Sequence, residues 1–281
     1  MDILEILIND HPAPEGSDFT SYITEHGLSI WFEKDGKKWL VDTGASGNFA
    51  KNAFSSGLDP AQTDHLVLSH NHYDHTGGLG VFLKMNSRAV IHLSEAVRQS
   101  TCYSVRNGIR KDIGLDRSLT SLYPSRFQWH PARNISLSEH VLLLADIPAD
   151  PPLPKANKLL LWEKDGTTCQ DPFDHEMAVL VIGDKGSTVI SSCTHKGILN
   201  VLRACGAVSK KPITHFVGGT HLKDGFESEE DLLWIASRIE QDYPLLHIFT
   251  GHCSGEVVIR SLGTYLPGKV NTFYPGFRIL L

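Results

Sequence analysis

Residues 70 to 75 read His-Asn-His-Tyr-Asp-His: three imidazoles and a carboxylate within six positions, followed by Thr76 and the pair Gly77-Gly78. On an extended chain, residues two apart point the same way. His70 and His72 can therefore offer two ring nitrogens to one cation, while a tightening turn brings Asp74 and His75 to a second position beside it. A borderline ion such as Zn²⁺ accepts that mixture of nitrogen and oxygen donors. Two such ions about 3.5–4 Å apart hold a shared hydroxide and polarise the bond it attacks. The chemistry implied is hydrolysis by a metal-activated water, with Asp74 also able to orient the nucleophile. A loop that is merely histidine-rich is the plainer alternative, but a polar cluster abutting an apolar strand and a glycine pair has little packing reason to exist.

The elements that would position this cluster can be read on both sides of it. Residues 2–8 alternate in polarity, LSIWFE (28–33) and KWLVD (38–42) are short β-rich runs, and Asp35-Gly36 between them is a hairpin signal. A helical stretch is expected around 47–56, and the run His65-Leu66-Val67-Leu68 reads as a buried strand that delivers the histidines at its C-terminal end. A helix starting near Leu79 and a strand over 89–93 follow. Residues 94–133 have mixed polarity and weak periodicity, which suggests an insertion or lid. Strands around 134–145 come next, and the proline-rich IPADPPLP then joins two halves of the chain.

The second half repeats a strand and helix rhythm. Residues 177–182 and 188–190 form a hairpin about Gly183 to Gly186, and Ile198, Val201, Leu202 and Cys205 share one helical face. Residues 213–217 are a strand. Leu232, Ile235, Ala236 and Ile239 make a second helical stripe, opened by Ser228 with Asp231 three residues on as a capping-box variant. Residues 245–249 are again a strand. Three strands in this half end in histidine-bearing tails, SSCTH, GGTHL and TGHCSG. Strands followed by strands with interleaved helices, in both halves, imply an α/β fold of four layers, an αββα sandwich, over 1–281 as one domain. Such a sandwich would gather the strand-end histidines at one edge.

Composition limits the partners. The 281 residues are 41% hydrophobic and 21% charged, enough apolar material for a sizeable core, and the formal net charge is −6. Neither the charge balance nor any run of like charges fits a nucleic-acid backbone, so no nucleic-acid partner is expected. The first residues have neither the basic flank nor the long apolar stretch of a secretory signal, and no apolar run approaches the roughly 18 residues of a membrane span. Five scattered cysteines, Cys102, Cys169, Cys193, Cys205 and Cys253, argue for reduced thiols and a cytoplasmic protein, and the partner expected is a small-molecule substrate. Of the 15 histidines, His65, His92, His130, His140, His215 and His247 read as structural.

His70-Asn71-His72-Tyr73-Asp74-His75 resembles the HxHxDH signature of the metallo-β-lactamase superfamily, and Asp42-Thr43-Gly44 resembles that superfamily's strand-end aspartate motif, which buttresses the metal loop. EHGLS (25–29), SCTHKGILN (192–200), GGTHL (218–222) and TGHCSG (250–255) extend the likeness. They are similar to a branch of metal-dependent hydrolases that includes dihydropterin ribofuranosylaminobenzene phosphate synthase. The resemblance implies three further ligands: a histidine, a bridging aspartate after a later strand, and a histidine in a late Gly-His motif. No aspartate follows the strand 188–190, whose tail offers Cys193 and His195 instead. His195 is preferred there because a neutral imidazole needs no thiol deprotonation. His252 is preferred over His221 as the late histidine, leaving His221 as an alternative ligand or substrate-facing acid. The implied metal set is His70, His72, Asp74, His75, His195 and His252. His26, His175, His221 and Cys193 are candidates for substrate binding or alternative ligation. The cofactor expected is one or two divalent ions, zinc first, with manganese, iron or magnesium open.

Three functions fit these residues. The first is hydrolysis of an ester, lactone or phosphate ester by metal-activated water. The second is a transferase-like synthase acting on a pterin and a ribofuranosylaminobenzene phosphate, for which Arg98, Arg106, Arg110 and Lys111 in the insertion could supply cationic contacts. The third is a non-catalytic metal-binding sensor.

Overall fold

The computed structural model describes residues 2–281. Its strands are β1 (Ile3–Ile8), β2 (Ser29–Lys34), β3 (Lys37–Val41), β4 (His65–Val67), β5 (Val90–Ser94), β6 (Ser100–Arg106), β7 (Ile109–Asp112) and β8 (Phe127–His130), then β9 (Ile135–Ser136), β10 (Val141–Leu144), β11 (Leu160–Lys164), β12 (Thr167–Gln170), β13 (Ala178–Ile182), β14 (Ser187–Ile190), β15 (Ile213–Val217), β16 (His247–Thr250), β17 (Val270–Thr272) and β18 (Arg278–Leu280). The helices are α1 (Asn48–Ser55), α2 (Tyr73–Thr76), α3 (Leu79–Met85), α4 (Arg117–Leu122), α5 (Ile198–Val208), α6 (Glu229–Asp242) and α7 (Glu256–Tyr265).

Two seven-stranded sheets, ordered β18-β1-β2-β3-β4-β5-β8 and β17-β16-β15-β14-β13-β10-β9, form the two inner layers. Each begins antiparallel and turns parallel: β3, β4, β5 and β8 run together in the first, and β14 to β17 in the second. Helical crossovers make parallel pairing possible and cover the outer faces. Strand β13 shows why the run AVLVI suits this place. Ala178 and Leu180 pack under α5 and α6, whereas Val179 and Val181 face the other sheet against Ile30, Phe32 and Val41. A strand buried on both faces has no polar alternation to keep, and each large apolar side chain withdrawn from water there contributes about 1.5–3 kcal/mol. The β2–β3 turn has Asp35 at φ 54° and Gly36 at φ 65°, the left-handed pair that a two-residue hairpin requires. Helix α6 opens with the expected capping box, Ser228 Oγ accepting from the Asp231 N–H and Asp231 Oδ2 accepting from the Ser228 N–H.

Two expectations are corrected. Residues 94–133 are not one insertion: only β6 and β7 leave the sandwich, and Phe127–His130 is the edge strand of the first sheet, parallel to β5. The hairpin β6–β7 pairs instead with a second hairpin, β11–β12, making a four-stranded antiparallel sheet in which Cys102 faces Trp162. The proline-rich stretch does not join the halves either. The second sheet starts before it, at β9 and β10, so residues 147–154 lead from β10 toward the small sheet. The C-terminal β18 returns to pair with β1 in the first sheet.

Candidate metal centre

The parallel strands of both sheets end at the same edge of the sandwich, the usual place for a site in open α/β sheets. Strand β4 leaves its sheet at Leu68, His72 is still extended (φ −123°, ψ 142°), and the chain tightens into α2 at Tyr73. His70 and His72 therefore lie side by side, ring centroids 4.5 Å apart, while Asp74 and His75 turn to a neighbouring position. The two glycines that follow let this loop press onto the loop after β3. A Cβ at Gly77 would lie 2.3 Å from the Ala45 carbonyl oxygen, and one at Gly78 would lie 2.3 Å from that of Ser46.

Asp42, wholly buried at the end of β3, sets the ring orientations. Its Oδ1 accepts from the Ser69 N–H at 2.7 Å, and its Oδ2 accepts from Ser69 Oγ at 2.6 Å and from His75 Nδ1 at 2.8 Å. With its proton given to Asp42, Ser69 Oγ accepts from His70 Nδ1 at 2.8 Å. Both imidazoles are thus held in the tautomer whose Nε2 carries a lone pair, the outer-sphere arrangement that orients metal-binding histidines.

The tail of β14 brings His195 to the same place. Its backbone N–H donates to buried Glu176 at 2.6 Å, and its Nδ1 donates to Asn157 Oδ1 at 3.1 Å, again leaving Nε2 with a lone pair. His70 Nε2, His72 Nε2 and His195 Nε2 are buried and have no hydrogen-bond partner among the described residues. The three histidines offer ligand atoms within 4.8 Å of one another. Burial and the surrounding imidazoles hold His70 and His195 well below the ordinary imidazole range. Burial, only partly opposed by Asp74, takes His72 to about 3. Neutral imidazoles with free lone pairs converging on one point are costly to bury, and a cation satisfies all three at once.

Beside this triad stands a second. Asp74 Oδ2 lies 3.6 Å from His75 Nε2 and 3.4 Å from His252 Nε2, and the two ring nitrogens are 3.1 Å apart. His252 is aimed by Asp10, whose Oδ1 is 2.7 Å from His252 Nδ1 and whose Oδ2 is 2.7 Å from His26 Nδ1. Burial works against charge on both members of the pair, yet the facing partners prevail. His75 and His252 hold Asp74 well below the carboxylate range, and the hydrogen bonds that His252 donates to Asp10 and Asp74 hold it above the imidazole range. A cation entering here would take the place of that proton.

The backbone is bent into the left-handed region at Asp42 (φ 60°), Thr194 (φ 62°), His221 (φ 52°) and His252 (φ 52°). All four are non-glycine residues where a strand tail turns toward the centre, a clustering of strain typical of functional sites.

The sequence-derived candidates fall in four places. His70, His72 and His195 form one triad and Asp74, His75 and His252 the other. Cys193, His221 and His26 line the adjoining cavity of about 220 Å³ together with Cys253. His175 does not reach that cavity. It is buried behind the loop, with Nδ1 accepting from the Asn71 N–H at 3.2 Å and Nε2 3.1 Å from Asp171. His195 stands with the first triad, on one of three neighbouring tails. The tails that follow β14, β15 and β16 carry His195, His221 and His252 in that order, and none of the three supplies a carboxylate to the centre. Of the four insertion cations, Arg106 and Lys111 line the cavity, joined by Lys223 from the β15 tail. Arg98 lies over Trp129, and Arg110 lies over Tyr103 and pairs with Glu163. Sequence reasoning passed over Asp10, Asn157 and Lys223. Asp10 alone carried a signal, a strand-end carboxylate like Asp42.

The family model for the metallo-β-lactamase superfamily matches residues 23–178, more than half of the chain. The chain belongs to that superfamily. It is 24% identical over 248 residues, 83% of this chain and 82% of the other, to the 7,8-dihydropterin-6-methyl-4-(β-D-ribofuranosyl)-aminobenzene-5′-phosphate synthase of Methanocaldococcus jannaschii. Over a shorter span of 91 residues, 32% of this chain and 38% of the other, it is 35% identical to a UPF0173 metal-dependent hydrolase of Staphylococcus carnosus. The crystal structure of Tm1679, a metal-dependent hydrolase of the β-lactamase superfamily, superposes with a TM-score of 0.83 at 24% identity, covering 100% of this chain and 99% of that one. The four-layer sandwich is thus the superfamily's fold. That fold generally binds divalent cations, and the unpartnered Nε2 atoms of His70, His72 and His195 fit one.

Proposed function

We propose that this member of the superfamily is a hydrolase with two divalent cations, zinc by preference, one held by His70, His72 and His195 and the other by Asp74, His75 and His252. The observation that carries this reading is the convergence of three buried, unpartnered Nε2 atoms beside a second set of donors already oriented by Asp10 and Asp42. Ions so held supply Lewis acidity and a water that is deprotonated near neutral pH. The residues of the chain do the rest. Asp74, its carboxylate facing His75 and His252, would also accept a hydrogen bond from the nucleophile and orient it. Ile113 and Leu160 give the cavity an apolar side beside Tyr73, and Arg106, Lys111 and Lys223 would neutralise an anionic substrate. The substrate class is a small anionic ester, lactone or phosphate ester.

Substituting His72 or Asp74 by alanine tests this. Both bound metal and turnover of an ester, lactone and phosphate-ester panel should be lost, whereas a metal-free variant with full activity would overturn the proposal. The three cations around the cavity, with the named synthase among the relatives, also favour a second reading, a transferase-like synthase of a phosphate-bearing pterin precursor. Phosphate or pterin analogues that raise the melting temperature where simple esters do not would support it, since a specific ligand stabilises in proportion to its occupancy. All five cysteines are free and no helix among the described residues is long and apolar enough to cross a membrane, which supports a proposed cytoplasmic location.

A further inference from the structure

A sulfur atom lies between the two triads. Cys193 is 3% exposed, and its Sγ is 3.2 Å from His75 Nε2. Together with ligand atoms of His70 and His75 it forms a group in which every pair lies within 4.8 Å. His70 belongs to the first triad and His75 to the second, so one thiol adjoins both. The charge balance calls for an anion at this point. Of the six residues in the triads only Asp74 brings negative charge, and two divalent ions would set four positive charges against that carboxylate and a shared hydroxide in a buried site, a costly excess. Asp42 and Asp10 stand outside the donors, each hydrogen-bonded to a histidine. His221, on the β15 tail, adds no negative charge.

We propose that Cys193 Sγ, as a thiolate, is a ligand shared by the two ions, standing in for the bridging carboxylate and biasing the centre toward thiophilic metals such as zinc or cobalt. This rests on the dinuclear reading above. Ligation exchanges the S–H bond for sulfur–metal bonds and releases one proton to solvent, with no change of oxidation state. Cys253 is placed differently. Its Sγ groups with Cys193 and His221 on the cavity side, in a space that exists because residue 219 is glycine: a Cβ there would lie 2.3 Å from that sulfur.

The test is reconstitution of metal-free protein with Co²⁺ alone, for the wild type, Cys193→Ser and Cys253→Ser, recording metal content and the near-ultraviolet thiolate-to-cobalt charge-transfer band on the same samples. Wild type and Cys253→Ser should bind two ions and show the band. Cys193→Ser should lack it and bind its second ion more weakly by at least about tenfold, the lower end of what losing even an outer partner costs. A wild type with two ions and no band would overturn the role of Cys193 while leaving the dinuclear reading intact, as would a band that survives in Cys193→Ser and vanishes in Cys253→Ser. A wild type that takes up no cobalt would overturn both. The wild-type band decides the matter even if a variant fails to fold.

Discussion

Asp10→Asn separates the two halves of the centre. Asp10 accepts from His252 Nδ1 at 2.7 Å and from His26 Nδ1 at 2.7 Å, and it has no contact with the His70, His72 and His195 set. The amide keeps the shape but can present an N–H toward one of the rings, and His252 then loses the acceptor that keeps its Nε2 free for metal. A charge-assisted hydrogen bond is worth about 1.5–3 kcal/mol, and loss of an outer-sphere carboxylate typically costs about 10–100-fold in metal affinity, or about 1.4–2.7 kcal/mol. The two estimates agree, so we expect the second ion to bind about 10–100-fold more weakly and the first to be unchanged. Titration calorimetry of metal-free protein with Zn²⁺, with metal content after dialysis, would resolve the two sites. Equal weakening of both ions, or two ions at wild-type affinity, would refute the reasoning.

Two further outcomes follow from the surroundings of the site. Alanine at Arg106, Lys111 or Lys223 should raise KM for anionic substrates with kcat largely kept, and the loss should shrink in high salt; an equal effect on neutral substrates would remove charge from the explanation. Away from the site, His65, His92 and His130 form a hydrogen-bonded row across β4, β5 and β8, and burial, with the two neighbouring imidazoles, lowers the His92 pKa to about 3. Below about pH 6.5 the unfolded chain takes up a proton that folded His92 refuses. The metal-free protein should therefore lose stability as pH falls from about 6.5 toward 3, by up to about 1.4 kcal/mol per unit from this residue. Urea midpoints between pH 4 and 7 should show a shallower pH dependence for His92→Asn, and an unchanged slope would exclude His92 as a source.

What was legible in the sequence is what is local. The cluster from His70 to His75 declares its chemistry because a strand end and a tight turn decide where four adjacent side chains point. Asp35-Gly36 and the Ser228–Asp231 box announce their turn and helix for the same reason. Features made by distant pairing stayed hidden. The small sheet joins β6 to β11 across about sixty residues, and its outer strands β7 and β12 are exposed along their length, so no apolar alternation marks them. Adjacent in sequence, His175 and Glu176 serve two ends, His175 bracing Asn71 and Glu176 holding the His195 tail. The succession of His195, His221 and His252 becomes clear only once β14, β15 and β16 lie parallel, because strand order rather than spacing tells which tail stands where.

The central claim is that two cations sit side by side at the ends of the two sheets. A crystal structure with anomalous data collected on both sides of the zinc absorption edge tests it most directly. The account predicts two peaks, one within bonding distance of His70, His72 and His195 Nε2 and one of Asp74, His75 and His252, about 3.5–4 Å apart. A zinc-saturated crystal with no peak at these residues, or with a single ion bound elsewhere, would contradict it.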